Sequence, residues 1–295
     1  MKRLIFAIVL TLAFCASDCF ALNLRPYMQT PPEVQVFAKR VIEDGGQVVD
    51  LEYCQKYTRL SKQLIIWSNG KFVGDANMGV KLNSGVSVQT LYDLSGNNND
   101  ATQGTADNQP VWTAAVQGGR NGLVFDGTND KFLANHASMI FSKDSSFYIG
   151  SVAKFTALGS SMGTYSQDGN YDELGTALRI RAADNKPYFA IKDSGRSEGG
   201  VIANAAVSTG VGYNIAGVYN GSLAVLFING VQQTATYTWA QATGALPVVA
   251  LATLGSEENF YLNGNLFNHV IFNVVPTTAQ RTALESFVNA YYSIY

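Results

Sequence analysis

The feature that most narrows what this chain can fold into is a long succession of short apolar runs, each cut off by a tight-turn signal, with no helical pattern between them. From Leu64 onward such runs lie at residues 64–67, 86–91, 123–125, 147–155, 177–181, 188–192, 213–219, 223–229, 248–254 and 266–272. Runs of this length bounded by Gly, Asn and Asp read as strands. Asn220-Gly221, Asn229-Gly230 and Asn263-Gly264 are the strongest turn signals, because Asn-Gly accommodates the positive φ angles of tight hairpins. Between residues 91 and 133, two further Asn/Asp/Gly clusters, 93–100 and 126–130, flank Trp112. Many short strands without intervening helices imply two packed antiparallel sheets rather than βαβ units. The predicted class is all-β, a two-sheet antiparallel β-sandwich.

Helical signals occur only at the flanks. Thr30-Pro31-Pro32-Glu33 has the pattern of a reciprocal cap with Pro at the first helical position, and Val34, Phe37 and Val41 continue one apolar stripe. Asp44-Gly45-Gly46 ends that helix. Asp50 can cap a second one carrying Leu51, Cys54, Tyr57 and Leu60, so residues 31–61 predict a small helical hairpin. At the other end Pro276 terminates a strand predicted over 270–275, since Pro cannot donate to a sheet ladder. Thr277 with Gln280 then caps a helix whose Leu284, Phe287, Val288 and Tyr291 form a stripe that should pack on the sandwich.

The first residues carry a different signal. Lys2 and Arg3 precede an apolar run over residues 4–16, and Cys19-Phe20-Ala21 puts small residues at the −3 and −1 positions. This is the pattern of a secretory signal peptide with cleavage expected after Ala21, giving an exported protein. Cys15 and Cys19 would leave with it, so Cys54 alone remains and no internal disulfide is expected. No later run approaches transmembrane length. The whole chain has a formal charge of −2, and the basic stripe that nucleic-acid binding would need is missing. Abundant turn-forming residues with little charge suit an extracellular β-protein.

Four motifs then resemble a known family. Tyr92-Asp93-Leu94-Ser95-Gly96-Asn97-Asn98-Asn99-Asp100, followed by Leu123-Val124-Phe125-Asp126-Gly127-Thr128-Asn129-Asp130, resembles the opening of laminin-G-like domains of the concanavalin A-like lectin/glucanase superfamily. Tyr213-Asn214-Ile215-Ala216-Gly217-Val218-Tyr219 with Phe227-Ile228-Asn229-Gly230 is similar to the family's central hairpin, and residues 262–295 to its closing strand and helix. The resemblance implies a concanavalin A-like jelly roll over residues 64–295, preceded by the leader at 1–21 and a helical appendage at 22–63. It leaves function open, because such sandwiches host lectins, adhesion modules, hydrolases and lyases. A shorter stretch, Ala38-Lys39-Arg40-Val41-Ile42-Glu43-Asp44-Gly45-Gly46, resembles a segment preceding laminin-G-like domains in some phage tail and virion proteins.

No catalytic constellation emerges. Glycan-cleaving relatives set two carboxylates on one strand face, about 5 Å apart for retaining hydrolysis. Here Asp172 and Glu173 are adjacent in a Gly-rich loop, and Asp50 and Glu52 fall in the helical appendage. His136 and His269 are isolated from any metal-ligand spacing, and no Gly-x-Ser-x-Gly elbow occurs. Two turns have the oxygen donors Ca²⁺ takes: Asp126, Asn129 and Asp130, and more loosely Asp93, Asn97 and Asp100. Turn formation accounts for both equally well. Sugar binding needs exposed aromatic faces beside planar polar groups, and Tyr165, Asp168, Asn170, Tyr171 and Asp172 supply both, with Arg196 in another loop. The leading expectation is a secreted, non-catalytic module binding carbohydrate or another cell-surface ligand, with no required cofactor. A glycan hydrolase or lyase of the same fold, or a structural subunit of a surface or phage-derived assembly, are the alternatives. Neither the individual ligand nor an oligomeric state is written in these motifs.

Overall fold

The computed structural model describes residues 30–134, 136, 139, 141, 145–167, 175–192, 198–238, 252–257 and 260–295. Its helices are α1 (Pro32–Glu43), α2 (Leu51–Gln63) and α3 (Thr278–Tyr292). The first strands are β1 (Gln47–Val48), β2 (Gly70–Asp75), β3 (Gly79–Leu82), β4 (Val88–Leu91), β5 (Ala101–Thr102), β6 (Val111–Gln117) and β7 (Arg120–Asp126). There follow β8 (Phe132–Ala134), β9 (Ser146–Phe155), β10 (Met162–Gln167), β11 (Thr176–Ile180), β12 (Pro187–Lys192), β13 (Glu198–Ile202) and β14 (Gly212–Asn220). The last are β15 (Leu223–Ile228), β16 (Val231–Gln232), β17 (Tyr237–Thr238), β18 (Ala252–Leu254), β19 (Ser256–Glu257), β20 (Phe260–Tyr261) and β21 (Asn263–Phe272).

Among the described residues the strands form a 10-stranded sheet, ordered β1-β3-β4-β5-β8-β18-β10-β11-β12-β13, and a 9-stranded sheet, ordered β16-β15-β14-β9-β21-β7-β6 with β2 on β21 and β17 on β15. β19 and β20 form a separate small ribbon. The expected two-sheet antiparallel sandwich is thus the observed architecture, flanked by helices.

Alternation along the central strands explains the layering. On β9, Phe147, Ile149, Ala153 and Phe155 enter the core between the sheets, where they join Leu178 and Phe189 of the other sheet. Tyr148 and Val152 point the opposite way. There they meet α1 through Val34, Phe37 and Val41, α2 through Tyr53, Cys54 and Tyr57, and α3 through Leu284 and Val288. The centre of the nine-stranded sheet is therefore buried on both faces, with every residue of β9 from Phe147 to Ala153 inaccessible. Burial pushes the Cys54 thiol far up, in keeping with packing rather than reactivity.

Local signals were realised where they are self-contained. Asp50 caps α2, accepting the Tyr53 N–H at 2.8 Å. Asn229 and Gly230 take φ 51° and 78°, the double positive φ of a tight hairpin, joining β15 to β16. Thr277 and Gln280 form the reciprocal cap of α3, with Thr277 Oγ1 accepting the Gln280 N–H at 3.3 Å and Gln280 Oε1 accepting the Thr277 N–H at 2.8 Å. Thr277→Ala should lower stability by about 1 kcal/mol, to be read as a shift in the urea midpoint; an unchanged midpoint would mean that the Gln280 contact to the Leu64 carbonyl, at 2.6 Å, suffices to start the helix.

Other expectations are corrected. The Thr30 cap does not form: Pro31 is the capping residue, Thr30 Oγ1 accepts from Gln55 at 2.9 Å, and Glu33 reaches across to Lys62 at 2.6 Å. Residues 64–67 are not a strand, because α2 runs to Gln63 and Ile65 then takes φ 58° with its side chain 78% exposed. Asn263-Gly264 is no turn but the start of β21, where a Cβ on Gly264 would lie 2.3 Å from the Lys154 carbonyl oxygen. The last long strand stops at Phe272, short of Val275. β10 went unpredicted, since its apolar and polar residues are all buried and show no alternation. No helix among the described residues is long and apolar enough to cross a membrane.

Candidate ligand-binding site

The predicted contact residues divide sharply. Asp168, Asn170, Tyr171, Asp172 and Arg196 lie outside the described residues. Tyr165 is described, and it is not a surface ring. It is wholly buried, stacked on the His269 imidazole with centroids 5.1 Å apart, because its position in β10 points it between the sheets.

The Asp126–Asp130 turn connects β7 to β8. Asp126 Oδ1 accepts the N–H groups of Thr128 at 2.7 Å and Asn129 at 3.3 Å, and Asp130 Oδ2 accepts that of Asp126 at 3.0 Å. Both carboxylates thus shape the turn itself. Burial, reinforced by the adjacent Asp126 charge, pushes the Asp130 carboxyl up to about 6 against the opposing pull of that N–H. In the looser cluster Asp93 shapes its own turn in the same way. Asp93 is buried, and its carboxylate accepts the N–H groups of Val73, Ser95 and Asn99 and the Ser95 hydroxyl at 2.7–3.0 Å. Among the described residues no three His, Cys, Asp or Glu side chains converge as a metal group.

The histidines assemble no nucleophile. His269 Nδ1 lies 2.7 Å from Ser151 Oγ, which pairs a hydroxyl with a base, but both residues are fully buried in the core and no carboxylate among the described residues meets Nε2. Burial drives the imidazole down to about 3, so it stays neutral. His136 Nε2 stands 3.4 Å from the Asp100 carbonyl oxygen.

A site does form beside the Asp126–Asp130 turn. The end of β9, the start of β10, the β11–β12 turn and the β19–β20 ribbon surround a cavity of about 480 Å³. Its lining includes Gly127, Ser160, Ser161, Met162, Phe260 and Asn263. Phe260 presents 41% of its surface to solvent, unusual for a Phe, and Tyr261 beside it lies 5.7 Å from Lys131 Nζ. The frame is rigid. Asn263 Nδ2 donates to the Asp126 carbonyl at 3.4 Å, the Gly159 N–H donates to Asn185 at 2.9 Å, and the Ala182 N–H to Ser161 Oγ at 3.4 Å. An open aromatic face beside hydroxyl and amide groups, at a volume within the range of small-molecule sites, is the chemistry predicted for residues 165–172. It arises at the opposite end of β10 from Gln167. The sequence signal was the adjacent pair Phe260-Tyr261 in a polar stretch, too short to read as an element.

The sequence matches no protein-family model and no curated protein. Solved structures do match it. The binding domain of Paraclostridial mosquitocidal protein 1 superposes with a TM-score of 0.57 at 16% identity, over 77% of this chain and 53% of that one. The botulinum neurotoxin serotype D binding domain gives 0.56 at 16%, over 75% and 51%. Domain 4 of AbnA, an extracellular GH43 arabinanase from Geobacillus stearothermophilus, solved with arabinotriose, gives 0.50 at 15%, over 62% and 82%. The chain shares the fold of these β-sandwich binding domains. It spans about half the length of the toxin domains it matches. At this identity the likeness concerns the β-sandwich, not the residues of a site.

Proposed function

We propose that the chain is a secreted, non-catalytic module that binds carbohydrate or another cell-surface ligand at the ends of its strands, with the laminin-G-like motifs marking its sandwich. The observation that carries this reading is the cavity lined by Phe260, where an open aromatic face adjoins hydroxyl and amide groups. The fold supports it. One matching structure, the botulinum neurotoxin serotype D ligand-binding domain, was solved with N-acetylneuraminic acid, and the arabinanase domain with arabinotriose. Export is supported by the leader-like segment, with Lys2 and Arg3 before its apolar run. Glycan cleavage needs two carboxylates across the scissile bond, and no Asp or Glu lines this cavity among the described side chains. A glycan array read with and without Ca²⁺ is the test. Specific hits with no turnover are the expected result, while a blank array beside measurable cleavage of any polysaccharide would overturn the proposal.

A further inference from the structure

Beneath α3 the outer face of the nine-stranded sheet carries polar side chains where apolar packing would serve. Asn214 of β14 and Asn268 of β21 are the cross-strand neighbours of Val152, one on each side, and both are buried. Two residues back on the same face of β9, Gly150 supplies no side chain, and α3 closes over the hollow with Leu284, Glu285 and Val288. The cavity so formed, completed by Tyr148, Val152 and Val270, measures about 10 Å³, room for the centre of one water molecule and little more. Each polar group on its wall has bonding capacity to spare. Asn268 Nδ2 donates to Asp75 at 3.0 Å, which leaves its Oδ1 as an acceptor. Glu285 Oε2 accepts Arg281 Nη1 at 2.6 Å, but Oε1 receives, among the described residues, only a long 3.4 Å contact from the Tyr148 hydroxyl. Asn214 is bonded to Asn229 through its main chain, and no group among the described residues engages its side-chain amide. Burying such groups without partners is costly. A water donating to Glu285 Oε1 and Asn268 Oδ1 and accepting from Asn214 Nδ2 would meet all three, the usual number of bonds for an interior water.

We propose that this cavity is the site of one ordered water that joins α3 to the sheet through Glu285, Asn268 and Asn214. The inference is independent of what the chain binds. It closes a gap between two buried polar groups of residues. On one side the Asp75 carboxylate gathers Tyr53, Asn77, Asn268 and Tyr292. On the other Arg281 pairs with Glu285, donates to the Gly230 carbonyl at 3.3 Å and lies 3.7 Å from the centre of the Phe227 ring. Among the described residues no direct hydrogen bond connects the two sets. Through the water Asn268 meets Glu285, so the buried polar contacts of α3 run unbroken from Tyr292 to Arg281. The test is a crystal structure of the chain, at a resolution that shows ordered water, for the wild type and for Asn214→Leu and Asn214→Ser, with melting curves on all three. Expected in the wild type is a single peak within hydrogen-bond distance of Glu285, Asn268 and Asn214. Asn214→Leu, of similar volume without the amide, should lose the peak and melt about 2–4 °C lower, while Asn214→Ser, which keeps a hydroxyl, should retain it. A wild-type cavity without density would overturn the proposal even where a variant fails to fold. A peak ringed by six or more oxygens at cation distances would replace the water by an ion and overturn it as well. A peak that persists in Asn214→Leu would overturn the part assigned to Asn214.

Discussion

Asp75→Ala should detach the helical layer from the sandwich, at a cost on the order of 3–5 kcal/mol. Asp75 sits at the end of β2, fully buried. Its Oδ1 accepts the Tyr292 hydroxyl of α3 at 2.6 Å and the Asn77 N–H at 2.7 Å; its Oδ2 accepts Asn268 Nδ2 of β21 at 3.0 Å and the Tyr53 hydroxyl of α2 at 3.2 Å. One carboxylate therefore ties two helices to two strands. Its removal strands several buried donors, each worth roughly 1–3 kcal/mol when unsatisfied. The check is urea unfolding, where a midpoint within error of wild type would show that the apolar stripes alone hold the helices. Asp75→Asn separates shape from charge. Burial pushes the Asp75 carboxyl from an ordinary 3.8 to about 6, outweighing the hydrogen bonds that pull it down. The folded chain thus holds a proton that the unfolded chain has released, so stability is greatest below the unfolded value and falls as pH rises toward about 6. Burial raises Asp130 to about 6 as well, and Asp93 and Glu285 move in the same direction, while Glu33, bonded to Lys62, and Asp44, bonded to Tyr92, move in the opposite one. The wild type should therefore melt higher at about pH 5 than at about pH 7, and Asp75→Asn should flatten that difference by roughly 1 kcal/mol. Equal slopes in the two chains would remove Asp75 from the account.

Asp93→Ala should be nearly as severe. The carboxylate organises the turn after β4 by collecting N–H groups from Val73, Ser95 and Asn99, which would otherwise be buried without acceptors. Arg40 of α1 is held to the same turn, donating to the Asp93 carbonyl at 2.8 Å and pairing with Asp100. Three stranded N–H groups imply a loss of roughly 3–5 kcal/mol, moderated where water can enter. Calorimetric melting of the variant tests this; a loss below about 1 kcal/mol would mean that water takes over the carboxylate's role.

These two carboxylates illustrate what a sequence reveals. Asp93 was legible as a turn former because its partners at 95 and 99 lie within the same few residues. Asp75 was not legible, because its partners at 53, 268 and 292 are distant in sequence. The same division runs through the fold. The Asp50 cap, the Asn229-Gly230 hairpin and the Thr277–Gln280 box are local patterns and formed as read. Asn263-Gly264 has an identical local signature, yet the approach of Lys154 from β9 makes it the start of a strand. Tyr165 was misplaced for a related reason. A strand buried on both faces shows no polar alternation, and Met162–Gln167 reads as an exposed polar stretch while every member is inaccessible. Phe260 escaped notice because the loops that give its ring a cavity come from four separate parts of the chain.

The covering of the nine-stranded sheet on both faces has a consequence for how such a chain can diverge. With its central strands enclosed between the sandwich core and the helices, a substitution there is answered by loss of packing and not by a new specificity. The strand ends are free of that constraint. Ala157, Ser160, Ala182 and Phe260 are all exposed, so exchange or insertion at these tips leaves the frame untouched. Evolvability is thereby confined to one rim of the molecule, and homologous chains should hold their strand lengths while their loop tips drift. For the same reason the frame is a candidate carrier for grafted recognition loops.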